Sequence, residues 1–491
     1  MRQIASVFLA ALLILGWNAG RGGIASAYVD PLVHIQAQDE ATYAASSFEM
    51  VRHGGWLTPR FLGRYALYKP PLYYWLSALC AKVTGTNAWA IRMPPVIAGA
   101  GTIALVFAWL QGTVPLAIAL TGPILLLSSH LFFILSRTGL MDALLVFEIT
   151  LAMFAVSRDR GLGSMKWRWI FGIATGSAIM TKAVAGLLPI FILVCSGVSL
   201  ARLMQVSAIA AAVALPWHLW QIYAHPRWFW AEYVLGEHLT WGFAAPEQTT
   251  PESHVVYSGK RLFALDPVLI LGFAGLVSSS IRGAVRRRQL VAWTVVILVT
   301  VLGWRYRNVT YLAPLYPALA LSVAAAIPKH RARLALAFSA GLFLAKVALP
   351  SQPFGIPFTA ESTNLSHVPL AAYGELRRSN ELIMIGADDQ FYAATLDLPR
   401  VRYVWLSPTA PRARLPLDFE SLGITMSAAD FARLDELRPI FAARLRQWNL
   451  DSADPIGTVI LAQTDAEIQA LIEAHPQTDF YIDRRIRFSA K

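Results

Sequence analysis

Eleven stretches of mostly apolar residues constrain this chain more than any other feature of its sequence. A helix needs about 20 such residues to cross a bilayer, since its backbone groups must find their partners within the helix. Charged residues make up only 15% of the chain, against about 25% in an average soluble domain. The sequence therefore predicts a polytopic α-helical membrane protein, with spans near 3–19, 93–111, 115–135, 141–157, 168–181, 184–201, 205–223, 262–280, 290–304, 310–327 and 333–350.

Basic loops between these spans indicate the orientation of the chain. Short loops rich in Lys and Arg stay on the cytoplasmic side of a membrane. Four such loops occur, and eleven crossings place all four on the side of residue 1, with the C-terminal segment outside. Their basic residues are Arg158, Arg160, Lys166 and Arg168; Arg202; Arg282, Arg286, Arg287 and Arg288; and Lys329, Arg331 and Arg333.

Two apolar segments have alternative interpretations. The segment 72–85 is short and rich in aromatic residues. If it crossed the membrane, two of the basic loops would lie on the outer side. We expect a helix at the outer interface, where Trp and Tyr are common. The first span also resembles a signal peptide with a cleavage site at Ala25-Ser26-Ala27. An uncleaved anchor is favoured, because the motif that follows needs a fixed start.

The net charge changes sign near residue 351. Residues 1–350 contain 28 Lys and Arg against 12 Asp and Glu, a net +16, whereas residues 351–491 contain 14 against 18, a net −4. The total of +12 therefore reflects membrane topology and does not indicate a nucleic-acid partner.

The composition after residue 351 is that of a water-soluble domain. Short strands are predicted at 381–386, 401–406 and 458–462, and a capping box at 464–467 opens a helix to residue 474. We expect two domains: a transmembrane domain at 1–350 and a small extracytoplasmic α/β domain at 351–491.

Ionisable groups in the first 350 residues gather at the predicted outer face. Asp39 and Glu40 lie in the first outer loop, Asp142 opens the fourth span, and Lys182 ends the fifth. Such groups at membrane depth usually face a cavity or a partner. Acids that can take a proton and cations that can hold a phosphate thus share one face, which indicates a site there. Further cationic or ring-nitrogen groups on this face are Lys69, Arg137, His238, Arg305 and Arg307.

The same groups also have purely structural interpretations. Asp39 and Glu40 begin a helical stretch, where acids oppose the helix dipole. Adjacent helical residues diverge by about 100°, so at most one of them can point at a reacting atom. Arg137 and Asp142 could form an ion pair at a span end, and the two arginines after the ninth span could be snorkelling residues. The residue types alone leave these alternatives open.

Four sequence patterns in the first outer loop are more specific. Residues 38–44 read QDEATYA, 54–59 read GGWLTP, 61–75 read FLGRYALYKPPLYYW and 90–94 read AIRMP. This series resembles the family of bacterial lipid A aminoarabinose transferases and the related protein mannosyltransferases, within the C-type glycosyltransferase superfamily. Weaker matches follow in the family's order as far as residue 350: Arg137 before Asp142, Thr181-Lys182-Ala183 for a T-K-G turn, Glu237-His238, and Arg307 before Tyr311.

The resemblance implies transfer of a sugar from a polyprenyl-phosphate carrier to an acceptor on the outer face of the bacterial inner membrane, with inversion at the anomeric carbon. The catalytic loop is then about 20–92, with Asp39 as the base that the acceptor hydroxyl needs. Lys and Arg side chains stabilise the phosphate leaving group. The substrate-binding residues implied are Glu40, Lys69, Arg137, Asp142, Lys182, His238, Arg305, Arg307 and Tyr311.

The chain departs from the family at positions that affect a metal site and the acceptor. Relatives often have an acid before the lysine, where this chain has Tyr68, so Glu237 and His238 are only weak metal candidates. We expect no required cofactor, although a divalent metal stays open. The residues after His238 also differ from the usual Arg-Phe, so the acceptor is left as a lipid, a glycan or a protein, and the sugar is left open.

Two other functional classes remain as hypotheses. A transporter or lipid flippase predicts ionisable groups along a midplane pathway, often with repeated halves. The groups here gather at one face, and no repeat is visible. A non-catalytic accessory protein with the same fold is the second alternative.

Overall fold

A computed structural model of the protein describes residues 2–20, 35, 39–61, 64–240, 253–277, 287–304, 306, 308–349 and 356, and four short strands after residue 381. The described part of the chain is mostly helical. Its α-helices are α1 Arg2–Gly16, α2 Asp39–His53, α3 Leu72–Thr84, α4 Ala88–Leu110, α5 Leu116–Leu127, α6 His130–Leu135, α7 Asp142–Arg158, α8 Met165–Lys182, α9 Leu188–Cys195, α10 Leu200–Ala224, α11 His254–Leu265, α12 Pro267–Val277, α13 Arg287–Gly303, α14 Tyr316–Ala326 and α15 Ala332–Ala348. A single turn at Pro226–Trp228, a π-helix at Phe229–Thr240 and 3₁₀ helices at Ala183–Leu187, Val309–Leu315 and Lys329–Arg331 connect them.

Several helices can cross a membrane. Within the described residues, four segments are long and apolar enough, and α1, α5 and α12 are shorter apolar helices that fall in predicted spans. The four segments are Ala88–Leu110, Met165–Cys195, Leu200–Ala224 and Val309–Ala326. The expectation of a polytopic helical membrane protein is confirmed, and the number of eleven spans stays a prediction.

The helix bounds differ from four of the approximate predicted spans. The span at 262–280 is divided at Asp266, where α11 ends and Pro267 begins α12. The span at 115–135 is divided between α5 and α6. The sixth predicted span ends at Cys195 instead of residue 201, and α10 begins at Leu200 instead of residue 205. Hydropathy misses these breaks because apolar residues lie on both sides of each one.

Glycines allow the helices to pack closely. On α8, a Cβ at Gly172 would lie 2.6 Å from Ile209 of α10, and one at Gly176 would lie 2.6 Å from Val213. Small residues spaced four apart commonly form such membrane helix interfaces, where contact depends on close backbone approach. On α12, a Cβ at Gly275 would lie 2.8 Å from the carbonyl oxygen of Ser322 in α14.

The segment between α1 and α4 is held against α10. Its described part includes α2, a hairpin of two short strands (β1 Arg60–Phe61 and β2 Arg64–Tyr65) and α3. Two side chains of α10 donate to the Leu57 carbonyl: Trp217 Nε1 at 2.8 Å and Gln221 Nε2 at 2.6 Å. The helix α3 covers nearly all of the segment predicted at 72–85 and has 13 residues; its location at the membrane interface stays a prediction.

The described C-terminal strands are β3 Leu382–Ile385, β4 Val401–Leu406, β5 Val459–Ala462 and β6 Asp479–Ile482. They form a four-stranded parallel sheet in the order β5-β4-β3-β6. Strands β3, β4 and β5 coincide with the predicted strands, and β6 was not predicted. The predicted helix at 464–474 lies outside the described residues, so the α/β domain and the boundary at 351 stay predictions.

A buried carboxylate joins four helices at one end of the bundle. Asp266, just before α12, accepts from the backbone N–H groups of His130 (2.6 Å) and Leu131 (3.2 Å) at the start of α6. The Tyr316 hydroxyl of α14 donates to it at 3.0 Å, and Lys346 Nζ of α15 at 3.1 Å. Both members of the Lys346–Asp266 pair are 2% exposed, so each charge depends on the other.

We predict that Lys346→Met destabilises the fold. Removing one partner of a buried ion pair leaves the other charge uncompensated and costs about 3–5 kcal/mol. Thermal unfolding of the purified protein in detergent should therefore occur at a clearly lower temperature. The control is Lys166→Met, at an exposed lysine in the first turn of α8, which should unfold like the wild type. Equal unfolding temperatures for all three proteins would contradict the role given to the pair.

Candidate active site

Asp39 lies among charged side chains at the start of α2. Asp39 is exposed, and protein atoms packed around its carboxylate displace part of the surrounding water. This loss of water raises the pKa of Asp39 above its ordinary value. The positive charges of Lys69 and Lys182 oppose the rise, and Glu237 and Asp142 reinforce it. A carboxylate with a raised pKa is better suited to accept a proton.

Two ion pairs lie near Asp39. Lys69 Nζ donates to Glu237 Oε2, and Lys182 Nζ donates to Asp142 Oδ1 at 2.7 Å. All four side chains keep between 11 and 19% of their surface exposed, so a ligand can reach them. The structure thus brings together four predicted site residues and one metal candidate.

These side chains come from separate elements that meet at one place. Asp142 is the first residue of α7, Lys182 is the last of α8, and Lys69 lies between the hairpin and α3. Glu237 belongs to the π-helix, a rare geometry that is frequent at functional sites. Glu232 of the same π-helix accepts from the backbone N–H of Leu67 at 2.9 Å, which fixes the chain two residues before Lys69.

Aromatic side chains form one wall of the site. Lys182 Nζ lies 5.2 Å from the ring centroid of Tyr311, within the range of a cation–π contact. The ring of Tyr306 is 6.3 Å from that of Tyr311. Burial, followed by the charge of Asp39, raises the pKa of Tyr306. Tyr306 was not predicted as a site residue. The phosphate contacts predicted at this point of the chain were the arginines on either side of it.

His238 adjoins the Lys69–Glu237 pair. Its Nδ1 bonds to the backbone carbonyl of Tyr233, and burial lowers its pKa, which favours the neutral ring. Tyr68 is buried before Lys69. In the described part of the chain, no three His, Cys, Asp or Glu side chains are grouped so that they could hold a metal ion.

Glu40 points away from this cluster into the core. Its two carboxylate oxygens accept from Nε and Nη2 of Arg92, at 2.7 and 2.9 Å, and both side chains are 0% exposed. The backbone N–H of Gly139 donates to the same carboxylate at 2.6 Å. Glu40 therefore supports the site by packing and is not in a position to bind substrate, contrary to its assignment as a substrate contact.

The prediction of Arg137 as a phosphate contact is also corrected. Its guanidinium is 0% exposed and donates to the carbonyls of Leu15 (3.0 Å) and Trp17 (2.6 Å) at the C-terminal end of α1. A cation there satisfies unpaired helix carbonyls and complements the helix dipole. Arg137 does not pair with Asp142 either, because that carboxylate binds Lys182. Arg305 and Arg307 lie outside the described residues.

Two residues near the site were not predicted to contribute to it. Arg92 was recognised in the R-x-P pattern but was given no role. Glu148, in the middle of α7, is 3% exposed and accepts from the Thr181 hydroxyl at 2.9 Å, beside Lys182. An acid inside an apolar span was the signal that could have found it.

Ala183 has a backbone conformation that glycine favours. It follows Lys182 and has φ +47° and ψ −118°. For a residue with a Cβ, such geometry costs about 1–3 kcal/mol. The family resemblance predicts glycine at this position. The backbone conformation of the T-K-G turn is therefore present here, with alanine in place of glycine.

Comparisons with known proteins agree with this architecture. The family model described as dolichyl-phosphate-mannose-protein mannosyltransferase matches residues 28–245. The fold is that of ArnT from Cupriavidus metallidurans, whose crystal structure bound to undecaprenyl phosphate aligns with a TM-score of 0.55 and 19% identity, over 72% of this chain and 67% of that one. The chain thus shares the fold of this protein, and several of its helices are long and apolar enough to cross a membrane.

Curated relatives are named undecaprenyl phosphate-alpha-4-amino-4-deoxy-L-arabinose arabinosyl transferase. That of Aeromonas hydrophila is 27% identical over 59% of this chain, and that of Pseudomonas aeruginosa is 28% identical over 60%. These matches confirm the resemblance to the aminoarabinose transferases and protein mannosyltransferases. The matched region spans 56% of the length of each relative.

We predict that Ala183→Gly stabilises the protein. Relief of the positive-φ strain should exceed the extra chain entropy of glycine, for a net gain of about 1 kcal/mol. The matched control is Ala185→Gly in the same 3₁₀ helix, where φ is not positive and stability should fall. Thermal unfolding in detergent compares the variants. A loss of stability in Ala183→Gly as large as in Ala185→Gly would refute the strain.

Proposed function

We propose that this protein transfers a sugar from a polyprenyl-phosphate carrier to a hydroxyl acceptor at the outer face of the bacterial inner membrane. The observation that carries the proposal is Asp39, an accessible carboxylate with a raised pKa between two lysine–carboxylate pairs. The similarity to arabinosyl transferases and protein mannosyltransferases supports the same reaction class.

In the proposed reaction, the acceptor oxygen attacks the anomeric carbon of the sugar. A C–O bond forms there as the bond from that carbon to the phosphate oxygen breaks on the opposite face, which inverts the configuration. The hydroxyl proton passes to the Asp39 carboxylate, and the bonding electrons leave with the phosphate. A positioned base of this kind contributes about 10²–10⁴-fold to a rate.

The leaving phosphate gains negative charge and needs cations that are already in place. We assign this role to Lys69 and Lys182, whose ammonium groups stay partly exposed beside Glu237 and Asp142. The two acids hold the lysines in position before the donor arrives. Tyr311, under the Lys182 ammonium, is assigned to orienting the phosphate, and Arg305 and Arg307 keep their proposed role as phosphate contacts. His238 keeps its proposed role as a wall of the substrate site.

An apolar cavity of about 380 Å³ is lined by residues that are close in sequence to the two lysines. Leu72 and Trp75 of α3, Met180 of α8 and Trp217 of α10 line it. Leu72 lies three residues after Lys69, and Met180 two residues before Lys182. A lipid carrier with its phosphate on the lysines could place the first part of its prenyl chain here.

The proposal leaves the sugar and the acceptor open. It keeps the predicted orientation, with a cytoplasmic N-terminus and an extracytoplasmic domain after residue 351. It also keeps the expectation that no metal is required, since the lysines supply positive charge at the phosphate.

We predict that Asp39→Asn lowers sugar transfer about 100-fold or more and leaves binding of the lipid phosphate intact, because the base is lost and the lysines are kept. Proteoliposomes with lipid-linked donors measure transfer, and binding of polyprenyl phosphate is measured separately. Asp159→Asn, in the loop after α7, is the matched control and should transfer like the wild type. Wild-type transfer by Asp39→Asn would exclude it as the base.

The transfer rate measured over a range of pH tests the protonation of the proposed base. Only ionised Asp39 can accept the proton, so transfer should fall as pH drops through its pKa. Because that pKa is raised, the fall should begin above the ordinary carboxyl value of about 4. In Asp39→Asn, a residual transfer rate that does not change with pH would agree with this assignment. The same fall in transfer rate at low pH as in the wild type would contradict it.

A further inference from the structure

A second cavity lies at the opposite end of the last helices. It has a volume of about 590 Å³ and lies between α12 and α15, with α14 as its floor. Asp266 lies at the other end of these helices, where Tyr316 donates to it five residues after Tyr311 of the candidate active site. Ala326, in the cavity floor, is ten residues along α14 from Tyr316, or about 15 Å at 1.5 Å per residue.

Small residues create this groove. Ala274 and Gly275 of α12, Ala326 of α14 and Ala335 of α15 line it. Gly275 brings α12 directly against the α14 backbone, since a Cβ there would lie 2.8 Å from the Ser322 carbonyl oxygen. An open apolar groove on the lipid-facing surface of a membrane protein is filled by hydrocarbon.

The rim of the groove is apolar and faces outward. Leu271 is 58% exposed, Leu334 69% and Phe338 58%. Such side chains on a membrane helix contact lipid chains, which are as apolar as they are. The natural occupant of the groove is therefore an acyl chain.

The mouth of the groove is basic. Arg331 lines it and is exposed, and Lys329 and Arg333 lie exposed beside it. Arg287 lies at the same end, because its Nε donates to the Leu276 carbonyl of α12 at 2.8 Å. No Asp or Glu occurs anywhere between residues 267 and 350, so no nearby acid in this stretch of sequence balances these charges. Basic pockets between membrane helices bind anionic lipid head groups.

We propose that this groove is a binding site for an anionic phospholipid, with one acyl chain between α12 and α15 and the phosphate on Arg331. The site is separate from the candidate active site and does not depend on the reaction assigned to it. A bound lipid would hold α12, α14 and α15 together at the end that lacks the Asp266 network.

The test compares lipid retention by the full-length protein in native mass spectrometry. The probes are phosphatidylglycerol and phosphatidylcholine with identical acyl chains. Arg331→Gln removes the charge at an exposed position, and Ala335→Phe fills the groove and keeps the charge. Arg160→Gln, at an exposed arginine in another basic loop, is the matched control.

We expect the wild type and Arg160→Gln to retain phosphatidylglycerol preferentially. Arg331→Gln should lower that preference about fivefold, the equivalent of about 1 kcal/mol for one basic residue at a membrane surface. Ala335→Phe should lower retention of both lipids. Equal retention of the two lipids by the wild type would overturn the proposal, as would an Arg331→Gln preference equal to that of Arg160→Gln.

Discussion

The carboxylate of Glu40 and the guanidinium of Arg92 share two hydrogen bonds in the core, and the Gly139 N–H binds the same carboxylate. These contacts fasten α2 to α4 and to the segment before α7. Both side chains are 0% exposed, so loss of either would leave an uncompensated charge at a cost of about 3–5 kcal/mol. Because Asp39 is the residue before Glu40, the same anchor determines where the proposed base is held. On a helix, the roughly 100° between neighbours turns Asp39 to the open site while Glu40 faces the core.

Around this anchor, the site combines opposite charges in a way that suits a lipid phosphate. Lys69 and Lys182 each have an acid as partner before any ligand binds. Exposed ion pairs add little stability, and these are partly accessible, so a phosphate can join or displace the acids without a large loss. The strained backbone at Ala183 and the Glu148–Thr181 bond lie directly beside Lys182. Backbone strain of this kind is typically found at functional sites, where the surrounding structure enforces it.

Hydropathy and local sequence patterns predicted the helical class, most membrane helices and three of the four described C-terminal strands, since these depend on local composition and period. The loop motifs identified Asp39 and Lys69, and the ionisable groups at the span ends identified Asp142 and Lys182; the fold brings all four together. The roles of Glu40 and Arg137 could not be predicted in the same way. Whether an acid or an arginine meets a ligand, a helix end or another side chain depends on tertiary packing, and residue type is the same in each case. The break at Asp266 was missed for a similar reason, because its partners on α6, α14 and α15 are distant in sequence.

The position of a bound lipid-linked sugar phosphate tests the proposed active site most directly. A cryo-electron microscopy structure of the protein with a polyprenyl-phosphate sugar would locate it. We expect the phosphate within hydrogen-bond reach of Lys69 and Lys182 and the anomeric carbon facing Asp39, with Glu40 still paired to Arg92. A phosphate bound elsewhere, with Asp39 remote from the sugar, would contradict the proposed active site.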